Sequence, residues 1–206
     1  MLIEHQHPDN KSIKVAVLGA PNVGKSTLIN YLLGMDLTVV TDKPQTTRNH
    51  FHCVCTVDHT EIILVDTPGL HHSNQEINKR MNEEARQGTE EGDLILLVID
   101  ARAEVLKQIL QFKTNIRREL GRVWILFNKI DLIPNAQQLP WGEIIEEAKK
   151  IIPTLESDHY FLISSKTGEN IHQLTGAICD IAPACPHRYP DGSVSNRSQR
   201  FFVTEY

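Results

Sequence analysis

At 206 residues the chain is long enough for one α/β domain with a sizeable core and leaves little room for a second large one. With 40% hydrophobic and 23% charged residues, 21 basic against 26 acidic and a formal charge of −5, it reads as a soluble globular protein and not as a polycation held to nucleic acid by bulk charge. Residues 1–12 carry Glu, Asp and His without an apolar run, which excludes a secretory or arginine-rich transit sequence, and no stretch approaches the roughly 20 apolar residues that cross a bilayer. Cys53, Cys55, Cys179 and Cys185 have neither a disulfide-framework spacing nor a paired C-x-x-C, which fits a reducing, cytoplasmic compartment.

In chain order, 14–18 is a short β-branched apolar run, followed at once by a Gly-containing loop and a helical pattern through Leu28, Ile29, Leu32 and Leu33. A polar segment over 41–49 interrupts before a strand at 51–57, and 61–65 reads as its hairpin partner across Asp58, His59 and Thr60. The hairpin supplies an antiparallel edge to a mostly parallel sheet. The runs 94–99 and 123–127 are nearly continuously apolar, as parallel strands covered on both faces require, and 160–163 is a weaker copy. Helix patterns at 74–90, 105–120, 141–152 and 169–181 alternate with them. The expected architecture is α/β: an open, mostly parallel sheet of six strands with helices on both faces and ligand chemistry at the carboxyl ends of the strands. After residue 182 the texture turns to Pro, Gly and Ser, a linker composition, so the expected division is 1–182 and 183–206.

Gly19-Ala20-Pro21-Asn22-Val23-Gly24-Lys25-Ser26, followed by Thr27, fits G-x-x-x-x-G-K-[ST] at the strand-to-helix junction that phosphate binding demands. Its glycines let the backbone approach an anion, the helix N-terminal amides surround it, Lys25 adds a point charge at the β and γ phosphates, and Ser26 offers a hydroxyl to Mg²⁺. Asp66-Thr67-Pro68-Gly69 follows the strand ending at 65: Asp66 can hold a Mg²⁺ water and the Gly69 N–H can contact a γ phosphate. In isolation this tetrad also describes a Pro-Gly turn at a strand end.

Asn128-Lys129-Ile130-Asp131 closes another strand. The Asp131 carboxylate can accept from guanine N1–H and the N2 amine, a pattern adenine does not offer; the Lys129 stem can cover the base and Asn128 can tie neighbouring loops. Alone, this tetrad reads equally well as a turn. Ser164, Ser165 and Lys166, with Thr167 and Gly168, add a loop in which a backbone N–H, that of Ser165, can meet guanine O6. The four loops occur in the order phosphate, Mg²⁺, base, base, which points to a guanine nucleotide, GTP or GDP, with Mg²⁺.

These residues, with Pro44-Gln45-Thr46-Thr47-Arg48 and Asp66-Thr67-Pro68-Gly69-Leu70-His71, resemble the Era-type bacterial GTPases, and Ser195-Asn196-Arg197-Ser198-Gln199-Arg200-Phe201 is similar to the junction that precedes that family's KH-type RNA-binding domain. The resemblance implies a three-layer P-loop GTPase fold over 1–182, with 183–206 as linker and the start of the RNA-binding domain. It implies GTP hydrolysis with Lys25, Thr47, Gly69 and Asn22 at the reacting end, and Mg²⁺ on Ser26, Thr47 and Asp66, Thr46 being the alternative to Thr47. Hydrophobic Leu70 stands where many GTPases have a water-orienting glutamine, so slow hydrolysis is implied, with Asn22 as a candidate ligand for an activating K⁺. The implied partners of the complete protein are small-subunit ribosomal RNA and the ribosomal particle, with a peripheral contact at the inner membrane and no DNA. Arg188, Arg197 and Arg200 can touch RNA or form a solvated surface, and Asp42 stands where the family usually has a basic residue. Two alternatives are a nucleotide-binding assembly module with negligible hydrolysis and another ribosome- or tRNA-associated GTPase. His71 and His72 read as surface histidines or as a general base; Cys53 and Cys55 read as packed side chains or, with His50 and His52, as a metal site.

Overall fold

A computed structural model describes residues 7–34, 37–41, 51–65, 93–115 and 120–188. Strands β1 (Lys11–Gly19), β2 (Leu37–Thr41), β3 (Phe51–Val57), β4 (Thr60–Val65), β5 (Leu94–Asp100), β6 (Val123–Asn128) and β7 (Leu155–Leu162) form one sheet in the order β2-β3-β4-β1-β5-β6-β7. Helices α1 (Lys25–Gly34), α2 (Val105–Asn115) and α3 (Trp141–Ile151) lie between them in the chain, and α4 (Ile171–Ile181) follows β7. The β4–β1, β1–β5, β5–β6 and β6–β7 pairs are parallel, whereas β3 runs against both β2 and β4.

The alternation of side chains along a strand explains the layers. On β5, Leu94, Leu96 and Val98 enter the core shared with Leu28, Ile29 and Leu32 of α1 and Leu174 and Ile178 of α4. Ile95, Leu97 and Ile99 face the other way, against Val105, Ile109 and Phe112 of α2 and Trp141, Ile145 and Ala148 of α3. On β6, Trp124 and Leu126 join the first core and Val123, Ile125 and Phe127 the second. A strand apolar on both faces is therefore what a helix–sheet–helix sandwich requires, and burying each such side chain contributes about 1.5–3 kcal/mol.

The six expected strands are present, and the structure adds a seventh. Leu37-Thr38-Val39-Val40-Thr41 is β-branched and pairs antiparallel with β3, so the hairpin strand lies one position in from the edge. The sequence reading takes 37–48 as a polar loop, and the structure corrects this over 37–41, where the β-branched residues pair with β3. β7 starts earlier than expected because its pairing with β6 shifts register between Val123 and Ile125, and polar residues 156–159 fill the irregular stretch. The hairpin turns over Asp58 and His59, with Asp58 left-handed at φ 51° and Val57 paired to Thr60. The expected helix at 74–90 lies outside the described residues.

The chain after α4 crosses the amino-terminal end of the sheet. Ala184 bridges antiparallel to Lys11, Ser12 N–H donates to Pro183 O at 3.2 Å, and Cys185 N–H donates to Asn10 O at 3.0 Å. Beneath this strap, the fully buried Glu61 carboxylate accepts from Ser12 Oγ and from Arg188 N–H, both at 2.9 Å. His187 Nε2 lies 2.9 Å from His59 O, and the His7 ring stacks on that of His59 at 3.9 Å.

Candidate nucleotide-binding site

Gly19, Ala20, Pro21, Asn22, Val23 and Gly24 form the turn from β1 into α1, which opens with Lys25, Ser26 and Thr27. Asn22 and Gly24 are left-handed, at φ 62° and 100°. Left-handed residues beside right-handed ones turn successive N–H groups into one concavity, and a helix N-terminus adds first-turn amides that the helix's own carbonyl ladder does not engage. The helix ladder starts with Leu28 N–H donating to Gly24 O at 2.9 Å. Lys25 arches over the loop, its ammonium donating to Gly19 O at 2.9 Å and Ala20 O at 2.8 Å. The mouth thus joins a helix N-terminus and the Lys25 ammonium, a donor set that suits a polyphosphate.

Asn128 joins this loop to a second one. At 1% exposure on the end of β6, its Nδ2 donates to Val23 O at 2.7 Å, while its Oδ1 accepts from Ser165 N–H at 2.9 Å and Ser165 Oγ at 3.0 Å. Gly24 is obligatory beneath it, because a Cβ there would fall on Asn128 Nδ2 and the left-handed φ disfavours a side chain. Lys129, also left-handed at φ 68°, donates through Nζ to Asn22 O and, at 3.0 Å, to Asp100 Oδ2. Asp131 is exposed in the short turn Ile130–Leu132 that follows.

The 164–168 loop is held from within: Gly168 N–H donates to Ser164 O at 2.8 Å and Thr167 N–H to Ser164 Oγ at 3.1 Å. Gly168 is left-handed at φ 83°, and a Cβ would collide with the Tyr31 phenol of α1. Ser164 and Ser165 are buried and Lys166 is exposed. The Ser165 amide, expected to meet guanine O6, donates here to Asn128 Oδ1 at 2.9 Å.

The structure therefore gathers Gly19 through Thr27, Asn128, Lys129, Asp131 and 164–166 at the carboxyl ends of β1, β6 and β7, which are the ends that carry ligands in open α/β sheets. Thr47, Asp66 and Gly69, and with them Leu70, His71 and His72, lie outside the described residues. Cys53 and Cys55 are buried; burial pushes both thiols up, that of Cys55 to about 12, which keeps them protonated. His50 is outside the described residues.

Four participants escaped the sequence reading: Asp100, Arg102, Gln108 and Tyr31. Asp100, aligned with Asn128 across the β5–β6 pair, receives Lys129 and also Arg102, whose Nε and terminal nitrogen donate at 3.0 and 2.8 Å. The Arg102 hydrogen bonds, and then Lys129, hold the Asp100 carboxyl well below the usual carboxylate range. Gln108 of α2 brackets the Asp100 backbone, accepting its N–H at 3.1 Å and donating to its O at 3.0 Å. Tyr31 walls the 164–168 loop. Only the strand register could have found Asp100, since Asp100-Ala101-Arg102-Ala103 reads as an ordinary turn.

Comparison with known proteins follows the same outline. The class defined by this sheet and loop pair is that of P-loop nucleotide-binding domains. A family model described as 50S ribosome-binding GTPase matches residues 14–129, and the chain belongs to that family. It is 34% identical over 191 residues to GTPase Era of Geobacter sp. (strain M21), covering 93% of this chain and 62% of the relative. Among solved structures, it is similar to Era in complex with MgGDPNP and nucleotides 1506–1542 of 16S ribosomal RNA, with a TM-score of 0.63 and 33% identity over 89% of this chain and 61% of that one. It is similar also to an Aquifex aeolicus Era variant bound to GDP·AlF4⁻, with a TM-score of 0.65 and 31% identity over 91% of this chain and 62% of that one. The chain thus spans about 62% of the length of the curated relatives it matches.

Proposed function

We propose that this chain is the guanine-nucleotide-binding and GTP-hydrolysing domain of an Era-type GTPase. The observation that carries the reading is the Asn128 side chain, which ties the phosphate loop at Val23 O to the base loop at Ser165, 2.7 and 2.9 Å away, so that both ends of one nucleotide have a site in a single rigid unit. In this reading, Gly19 to Thr27 cradle the phosphates and the Lys25 ammonium exchanges two loop carbonyls for phosphate oxygens. Asp131 accepts from guanine N1–H and the N2 amine, the Lys129 stem covers the ring, and the 164–166 loop faces O6. Ser26 is the candidate Mg²⁺ ligand among the described residues, with Thr47 and Asp66 proposed as its companions; the metal would screen the phosphate charge.

Calorimetric titration with GTP, GDP and ATP, each with Mg²⁺, tests this. GTP and GDP should bind with similar strength, and ATP about 2–5 kcal/mol more weakly because its ring leaves the Asp131 carboxylate facing an acceptor. Equal binding of ATP and GTP would overturn the assignment. Asp131→Asn should transfer preference toward xanthine nucleotides, whose C2 oxygen suits an amide donor; retained GTP selectivity would mean that another residue reads the base.

Hydrolysis is expected to be slow, since Leu70 occupies the position of the water-orienting glutamine of many GTPases. Phosphate release over hours separates a slow enzyme from an assembly module that binds without turnover, the reading that the same Leu70 favours. We also propose that K⁺, held in part by Asn22, supplies charge at the reacting end. Turnover should then be faster in potassium than in sodium buffer at equal ionic strength, and equal rates would remove K⁺ from the mechanism.

For the longer protein that the relatives represent, the proposed role is in small-ribosomal-subunit assembly through small-subunit ribosomal RNA, with 1–182 as the G domain and 183–206 leading into the RNA-binding part. Among the described residues, no helix is long and apolar enough to cross a membrane; a peripheral contact at the inner membrane belongs to the same proposal.

A further inference from the structure

We propose that Asp100 is a positioning residue of the nucleotide site, holding the Lys129 ammonium against the Asn22 carbonyl and thereby setting how long a guanine nucleotide is retained. The inference rests on the guanine-nucleotide reading and adds to it a residue that lies outside all four loop motifs.

Lys129 has a long stem and an ammonium that water solvates well, so a defined position needs more than one partner. Here it has two on different elements: Asn22 O at the apex of the phosphate loop and Asp100 Oδ2 at the end of β5, at 3.0 Å. Only the second is charged, and a charged partner makes the stronger hydrogen bond. Asp100 is in turn fixed from three directions. Its side chain is 14% exposed, Gln108 occupies both its backbone N–H and its backbone carbonyl, and Arg102 grips the carboxylate with two nitrogens and its own backbone N–H, the last at 3.1 Å. The Arg102 guanidinium also lies within the field of the Asp131 carboxylate. Charges therefore alternate from Asp131 through Arg102 and Asp100 to Lys129, which ends on the left-handed Asn22.

The consequence is mechanical as well as electrostatic. With its head anchored at both ends, the Lys129 stem spans the gap between the base loop and the phosphate loop, where it closes one face of the purine slot. Without the carboxylate, the ammonium keeps one neutral acceptor and competes with water for its place, so both the cover over the base and the brace on the Asn22 carbonyl loosen. Bound nucleotide then leaves faster. Had Asp100 served only to pair with Arg102, its loss would be felt at a half-exposed arginine and not at Lys129.

Release of a fluorescent GDP from its Mg²⁺ complex, chased with excess GDP, measures this in the chain as it stands, in Asp100→Asn, in Lys129→Met and in the double variant. Each single change should speed release by about tenfold, as loss of one charge-assisted hydrogen bond implies. The double variant should release no faster than the faster single one, because Asp100 acts through Lys129. Release by Asp100→Asn within about twofold of the parent, or rates that multiply in the double variant, would overturn the proposal. Should Asp100→Asn fail to fold, Gln108→Ala is the second probe: it frees the Asp100 backbone, should speed release by about threefold, and should have no effect in the Lys129→Met background. An effect of the same size in both backgrounds would overturn the proposal equally. Failure of the unaltered chain to bind GDP would instead bring down the nucleotide reading itself, and this inference with it.

Discussion

Gly24 and Asp100 show how much a single position carries. At Gly24 the left-handed φ and the Asn128 amide together leave no place for a methyl group. Gly24→Ala should cost about 1–3 kcal/mol of stability and weaken GDP binding at once, because relief requires either the loop or Asn128 to move. A denaturant midpoint equal to that of the parent would contradict this. Asp100 adds a pH dependence with a fixed sign. Its folded-state carboxyl is held below the ordinary value, chiefly by the Arg102 hydrogen bonds, so the folded chain binds its proton less readily than the unfolded chain. The stabilisation is therefore complete above the unfolded carboxylate value near ~4 and is lost as pH falls below it. Asp100→Asn should lose stability less steeply than the parent between about pH 4 and pH 2 in acid unfolding; equal slopes would show that the pair with Arg102 contributes nothing.

Among elements, the loops that follow β1, β6 and β7 form one body because the Asn128 side chain donates to the first and accepts twice from the third. Asn128→Ala would strand the Val23 carbonyl and the Ser165 amide in a buried place, a loss of about 1–3 kcal/mol for each group left without a partner, and urea unfolding should report it. An unchanged unfolding midpoint would mean that the loops are held by other contacts. The same elements show why some of the fold is legible in the sequence and some is not. β5 and β6 announce themselves because helices cover both faces, leaving no polar residue to break the apolar run. β2 is five residues long and runs into a polar stretch, so its β-branched residues give only a weak local signal. β7 hides behind its own irregular pairing. The phosphate and base motifs are legible because their chemistry fixes residue type and spacing along the chain. Asp100, Gln108 and Tyr31 are not, because their roles follow from strand register and from packing between elements, which no local residue pattern marks.

Across the whole molecule, the sheet has a ligand end and a strap end. The strap is held by a buried carboxylate that accepts a hydroxyl from β1 and a backbone amide from the chain after α4. Glu61→Ala should lower stability by about 1–3 kcal/mol, read by thermal unfolding, since the Ser12 hydroxyl and the Arg188 amide both lose their acceptor. An unchanged melting temperature would show that the bridge between Lys11 and Ala184 suffices to hold the strap. β1 runs nine residues from the strap to Gly19, about 25 Å of extended chain. The chain at Arg188 is thus moored through Glu61 to the start of β4, the parallel neighbour of the strand that delivers the phosphate loop. A torque arriving there would enter the sheet at the root of β4 and run along that strand toward Val65, sparing the purine slot a direct push.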